Sequence, residues 1–307
     1  MKKSESISVV MTTYNGEKYL TEQLDSIRNQ TVAPSEVIIC DDCSTDGTWE
    51  ILVKYKAKYK LDCWHIFQNK KNIGWKINFY NALNRSTGDI IFLADQDDVW
   101  VECKIERCFA VMKNNTDIEL LTTNYDYLVN GKVKKSRHKT KLITKCAFDE
   151  RFFHNQKPGA VYAFRRILLD ETLPYWDKNM PHDSQLWLIA LARGTSYVYN
   201  RSLILYRRHE NTATGRESFG IETKLYNVLS ESKLVKMCIL YCEANNNILT
   251  GRNKKIASKA KEYCENRELC LQRKKIPMAL SMIKYINFYF APKTYFGDLM
   301  AIVKHSI

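Results

Sequence analysis

At 307 residues, 45% hydrophobic and 26% charged, the chain suits one large or two small globular domains and excludes a disordered or fibrous protein. Its net charge of +13 points to a polyanionic partner (nucleic acid, anionic lipid or phosphorylated substrate) without choosing among them. No apolar run reaches the roughly 18 residues of a transmembrane helix. The run 7–11 behind Lys2 and Lys3 is too short for a signal core, so ten scattered cysteines read as free thiols in a reducing cytoplasm. Cys40 and Cys43 have zinc-like spacing, but no second Cys or His pair at matching spacing stands nearby to complete a site.

In chain order, Ile7 to Met11 reads as a buried strand, Thr12 to Gly16 as a polar turn, and Lys18 to Asn29 as a helix with Leu20, Leu24 and Ile27 on one face. Glu36 to Cys40 is a second strand, ending at Asp41 and Asp42, with a helix from about Thr48 to Tyr59. Trp64 to Gln68 is a third strand, after which Asn72, Ile73 and Gly74 open a helix to about Asn84. Asp89 to Ala94 is a fourth, and a helix from Glu102 to Met112 precedes a strand from Glu119 to Tyr127. Asn130-Gly131 marks a hairpin turn, and the basic stretch 132–145 reads as a mobile loop. A strand over 159–164, a loop bounded by Pro174 and Pro181, a helix from His182 to Arg193, and short strands over 195–199 and 202–206 follow. This alternation predicts an α/β fold, a mostly parallel sheet flanked by helices.

Beyond about residue 216 turn signals thin out. Helices are expected near 217–243, 253–271, 276–290 and 293–305, giving a catalytic region over 1–216 and a basic amphipathic helical region over 217–307. Residues 231–307 hold fourteen Lys or Arg against six Asp or Glu, much of the chain's excess charge.

The chemistry concentrates where strand 89–94 ends. Asp95, Asp97 and Asp98 lie within four positions, and carboxylates so close repel unless a cation sits among them. An oxygen-only donor set suits Mg²⁺ or Mn²⁺, which commonly bridges carboxylate to phosphate. The plain alternative is an acidic turn that caps a helix. Turns after strands one and two fall on the same edge, where open α/β sheets bind nucleotides.

The motifs Val9 to Gly16, Cys40 to Thr48, Asp95-Gln96-Asp97-Asp98, His182-Asp183 and Tyr206-Arg207-Arg208-His209 together resemble a family 2 inverting glycosyltransferase with the glycosyltransferase A fold, over about 6–215. The Asp95 to Trp100 stretch is similar to the rhamnosyltransferase-like branch that builds bacterial surface polysaccharides. Cys43 departs from the family's usual Gly or Asn, which is expected only to tighten that turn.

The resemblance implies the following roles. Thr12, Thr13, Tyr14, Asn15 and Asp42 hold base and ribose; Asp42 and Ser44 would otherwise cap the next helix. Asp97 ligates Mn²⁺ or Mg²⁺, and Asp95 binds ribose or a metal-bound water; Gln96 joins the donor contacts, and Asp98 is left out of the ligand set as the start of the next helix. Asp183 is the general base, or otherwise a helix N-cap. His209 completes the metal site or touches the diphosphate, and Lys76, Arg207 and Arg208 face the donor, with solvated basic surface as the alternative. Trp100 and His182 contact the acceptor, Trp100 being otherwise a core residue.

The expected enzyme is metal-dependent and inverting. It takes a nucleoside-diphosphate sugar, with dTDP-rhamnose competing against UDP-hexose or UDP-N-acetylhexosamine. Its partners would be a glycan or polyprenyl-diphosphate-linked acceptor and, through the basic C-terminal helices, the inner face of the plasma membrane, with a homo-oligomer as a further association. A nucleic-acid-binding protein lacks a recognisable module here, and an inactive assembly protein would not need the full set of acids.

Overall fold

The computed structural model describes residues 5–136, 140–154, 157–208, 220–246 and 248–306. It divides into two compact units: residues 1–146, 157–190 and 195–212 form the first, and 147–156, 191–194 and 213–307 the second.

The first unit is built on β1 (Ile7–Thr13), α1 (Glu17–Arg28), β2 (Glu36–Asp41), α2 (Thr48–Tyr59), β3 (Trp64–Gln68), α3 (Trp75–Arg85) and β4 (Ile90–Ala94). The apolar runs of β1, β2 and β4 become strands covered on both faces, β4 from end to end, whereas β3 at the sheet edge is only partly buried. Then come β5 (Val99–Trp100), α4 (Lys104–Asn114), β6 (Leu120–Val129), β7 (Lys132–Lys134), β8 (Ile143–Lys145), β9 (Tyr162–Arg165), α5 (Arg166–Thr172), α6 (His182–Arg193) and β10 (Ser196–Arg208). The sheet order is β3-β2-β1-β4-β9-β6-β10-β5, with β7 on β6 and β8 on β10. Strands β3, β2, β1 and β4 run parallel, so their C-terminal ends share one edge. Strand β9 is antiparallel to both β4 and β6, making the whole sheet mixed.

Several expectations change. The stretch 132–145 is no continuous loop: its two ends pair as β7 and β8, while 137–139 lie outside the described residues. The strand expected over 159–164 begins as a 3-10 turn over Gly159–Val161. Helix α5 has too few residues for periodicity to reveal. The two strands expected over 195–206 are one, β10, with register shifts between Tyr199 and Leu205 that hid its continuity. Asp98 does not start a helix, since β5 intervenes and α4 begins at Lys104.

The second unit contains α7 (Ile221–Ala244), α8 (Gly251–Arg273), α9 (Ile276–Ser281), a 3-10 segment over Met282–Phe288, and α10 (Pro292–Ser306). Its core centres on Tyr263, whose ring lies 5.0 Å from Tyr289 and 6.0 Å from Phe288. Arg267 is buried there between Asp298 and Glu231, and the predicted single helix 276–290 is replaced by α9 and a 3-10 segment that is itself kinked at Tyr285.

Candidate functional site

Where β1 and β2 end, most polar side chains are spent on one another. The buried Asp41 carboxylate accepts from Thr13 Oγ1 (2.9 Å), Ser44 N (3.0 Å), Ser44 Oγ (2.5 Å) and Gln68 Nε2 (3.2 Å). Asn15 donates its backbone N–H to Ser44 Oγ and accepts from Thr45 N. Gln96 brackets Tyr14, accepting from its N–H at 2.8 Å and donating to its carbonyl at 3.0 Å. Gly16 leaves room for that amide: a Cβ there would lie 2.3 Å from Gln96 Oε1. Thr13, Asn15 and Gln96 thus brace the turns rather than present groups to a nucleotide.

Asp42 is 2% exposed. Its Oδ1 accepts from Asn69 Nδ2 and Ile73 N, and its Oδ2 from Gly74 N at 2.8 Å. Gly74 has φ +84°, a conformation that favours glycine, so Asp42 and Gly74 together shape the turn before α3. A carboxylate offers about four lone-pair directions, so Oδ2 keeps acceptor capacity for a ligand N–H. Thr12 is buried, while Tyr14 is 44% exposed at the edge. Cys43 has φ +61°, the left-handed region where Gly or Asn sits most easily, so this residue strains the turn instead of tightening it.

At the end of β4, burial first and then the charges of Asp97 and Asp183 push Asp95 up to about 7. Asp98 is buried and raised further, first by burial and then by Asp95 and Asp97. Its Oδ1 accepts from Arg207 N at 2.9 Å, which pins the end of β10; its Oδ2 has no partner among the described residues. The Arg207 guanidinium donates to the Asp97 carbonyl at 2.6 Å, pairs with Glu22 and lies 4.4 Å over the Tyr19 ring. The Arg207 side chain is thus tied to the turn after β4 and to α1. Arg208 is exposed beside the rings of Tyr127 and Tyr206, and His209 lies outside the described residues.

Asp183 stands in the first turn of α6, where the helix dipole favours the carboxylate. Its Oδ1 accepts from Ser184 N at 2.7 Å, while its Oδ2 takes no protein hydrogen bond among the described residues. His182 is buried: Phe79 stacks on it at 3.9 Å, and burial holds its pKa below the usual imidazole value. Trp100 is 2% exposed, against Phe92 and under the Lys104 ammonium at 3.6 Å. Neither offers an open face to an acceptor, and both acceptor assignments give way to packing.

Two residues escaped the sequence reading. Trp75, 43% exposed, meets the buried His182 ring edge-on at 5.9 Å, next in sequence to Asp183, and the Lys76 ammonium lies 5.6 Å over its ring. Lys76 beside it donates to the Asn179 carbonyl at 2.8 Å, tying α3 to the loop before α6. A large aromatic just after the Gly74 turn was the available signal. Lys104 is fully buried beneath the acids, donates to the Ala160 carbonyl at 3.0 Å, and is pushed down to about 7 by burial. Its spacing with Cys108 and Met112 placed it on the inward face of α4, which the reading did not exploit.

The acid edge fits a divalent cation: the donors are oxygens, and their mutual repulsion is what an ion would relieve. Among the described residues no ready set of three or more His, Cys, Asp or Glu could enclose one, so substrate phosphate and water would supply further ligands.

Comparison with known proteins bears on the family and the fold. The dTDP-rhamnosyl transferase RfbG of Shigella flexneri is 29% identical over 219 residues, 67% of this chain and 73% of that protein. In fold the chain resembles S. aureus TarS 1-349 in complex with UDP-GlcNAc, with TM-score 0.63, 17% identity, and coverage of 98% and 91% of the two chains. It also resembles the mannosyltransferase PcManGT from Pyrobaculum calidifontis in complex with GDP-Man and Mn²⁺, with TM-score 0.55, 15% identity, and coverage of 98% and 85%. The model of glycosyl transferase family 2 matches residues 8–171, more than half the chain, and the protein belongs to that family.

Proposed function

We propose that the protein is an inverting, divalent-metal-dependent glycosyltransferase of bacterial surface polysaccharide synthesis. It moves a sugar from a nucleoside-diphosphate donor to a glycan or polyprenyl-diphosphate-linked acceptor at the inner face of the plasma membrane. The observation that carries this reading is the run of carboxylates at the end of β4, Asp95, Asp97 and the buried Asp98, whose Oδ2 has no partner among the described residues. The unbonded oxygen of Asp183 takes the proton of the acceptor hydroxyl as the acceptor oxygen bonds to the anomeric carbon and the bond from that carbon to the donor phosphate breaks. Asp97, and Asp95 directly or through water, would hold Mn²⁺ or Mg²⁺, whose charge offsets that of the departing diphosphate. Asp42 and Tyr14 receive the base, and the exposed face of Trp75 stacks a sugar ring in place of Trp100. The same proposal divides the chain by role, 1–216 catalytic and 217–307 accessory.

For the donor, dTDP-rhamnose is favoured by the likeness to RfbG, and UDP-N-acetylhexosamine is the second reading because TarS was captured with UDP-GlcNAc. Melting curves with dTDP, UDP and GDP, each with and without Mn²⁺, test both. The right nucleotide raises the midpoint only with metal, by mass action. Turnover of the matching sugar nucleotide completes the test, and no response to any of the three with Mn²⁺ would overturn the proposal.

A further inference from the structure

The C-terminal stretch 274–304 exposes an unusual surface. Leu280, Ile283, Phe290, Phe296 and Met300 are each more than half exposed, and Ile276 is also open. They follow helical spacing: Ile276, Leu280 and Ile283 on one stripe, Phe296 and Met300 one turn apart on α10. The opposite faces, with Met282, Tyr285, Phe288, Tyr295 and Ile302, are buried, so each segment has a settled inner side and an apolar outer one. Exposed apolar side chains in such stripes mark a docking surface.

The charges around them identify the partner. Lys274, Lys275, Lys284, Lys293 and Lys304 all reach solvent. The stretch contains one acid, Asp298, and it is buried in ion pairs with Lys224 and Arg267. The stretch therefore pairs large apolar groups with cations and exposes no carboxylate of its own, the exposed acid against it being Glu262 of α8, 4.0 Å from Lys284. A second copy meeting it face to face would oppose lysine with lysine, which disfavours a symmetric dimer there. Among the described residues no helix is long and apolar enough to cross a membrane. We infer that α9, the 3-10 segment and α10 form an in-plane docking surface for an anionic lipid bilayer: the apolar side chains enter the interface and the lysines meet the headgroups.

The test is sedimentation of the full chain with phosphatidylcholine vesicles, with and without phosphatidylglycerol. It reads binding, not turnover, so it stands or falls separately from the enzymatic reading. The protein is expected to pellet with the anionic vesicles and to be released by high salt. The pair Lys284→Gln and Lys293→Gln should weaken binding about 25-fold, at about fivefold per lysine. The pairs Leu280→Ser with Ile283→Ser, and Phe296→Ser with Met300→Ser, should each weaken it about tenfold or more. All six positions are exposed, and unchanged melting midpoints would verify intact folding. No binding by the parent protein, equal binding by all the variants, or a stripe variant that only changes the particle mass in light scattering would overturn the inference, the last by identifying a protein partner.

Discussion

In the second unit, Arg267 donates to Asp298 at 2.8 Å and to Glu231 at 2.9 Å, and Lys224 takes the other Asp298 oxygen at 2.9 Å. Every carboxylate in that cluster meets a cation, and although burial works against the charge, Glu231, Tyr263 and Asp298 together hold Arg267 charged well above its usual range. At the end of β4 the balance is reversed. Asp95 and Asp98 are raised by burial and by neighbouring acids, and the buried cation beneath them, Lys104, is itself lowered to about 7. A cluster that balances itself holds a fold together; one left with surplus negative charge is prepared for something that arrives from outside.

Breaking each cluster separates the two roles. Asp183→Asn should lower kcat about 10³-fold, within the range of general-base catalysis, while nucleotide binding measured by calorimetry stays the same. Near-normal turnover would refute the base assignment. Arg267→Met should cost about 3 kcal/mol or more of stability in denaturant melts, because the buried Asp298 loses one of its two cations and the partly buried Glu231 loses its hydrogen bond to Arg267. Trp75→Ala should raise the donor or acceptor KM about fivefold to tenfold, the worth of one aromatic face, with little change in kcat. A fall in kcat alone would mean that Trp75 instead positions Asp183 through His182.

The smallest effect is the most discriminating. Asp97→Asn should leave the metal-free melting midpoint unchanged or raise it by the equivalent of about 1 kcal/mol or less, yet abolish the Mn²⁺-induced shift. Asp298→Asn should lower the midpoint with or without metal. The pH dependence follows the same sign. An Asp95 raised to about 7 binds a proton that the unfolded chain has released, so its contribution to metal-free stability declines as pH rises from about 4 to 7. Saturating Mn²⁺ should flatten that decline, and an unchanged slope in melts across this range would count against the ion site.

Much of the fold could be read directly. The runs 7–11, 36–40, 64–68 and 89–94 match strands to within two residues, because continuous apolar stretches between polar turns have few other ways to bury themselves. Elements that depend on a distant neighbour were hidden. The two residues of β5 exist only because β10 pairs with them, and β7 and β8 looked like a charged loop until β6 and β10 were there to receive them.

The same division runs through the candidate site. Local sequence determined which turns carry carboxylates, that they end parallel strands on one edge, and the family to which the chain belongs. Only the tertiary structure decided which polar residues remain available there. Gln96 holds Tyr14 from 82 positions away, Asp98 holds Arg207 across 109, and Trp100 disappears beneath Lys104 while Trp75 is left open. A motif states the side chain's chemistry. Whether its hydrogen bonds are already used depends on partners that the chain brings together only when it folds.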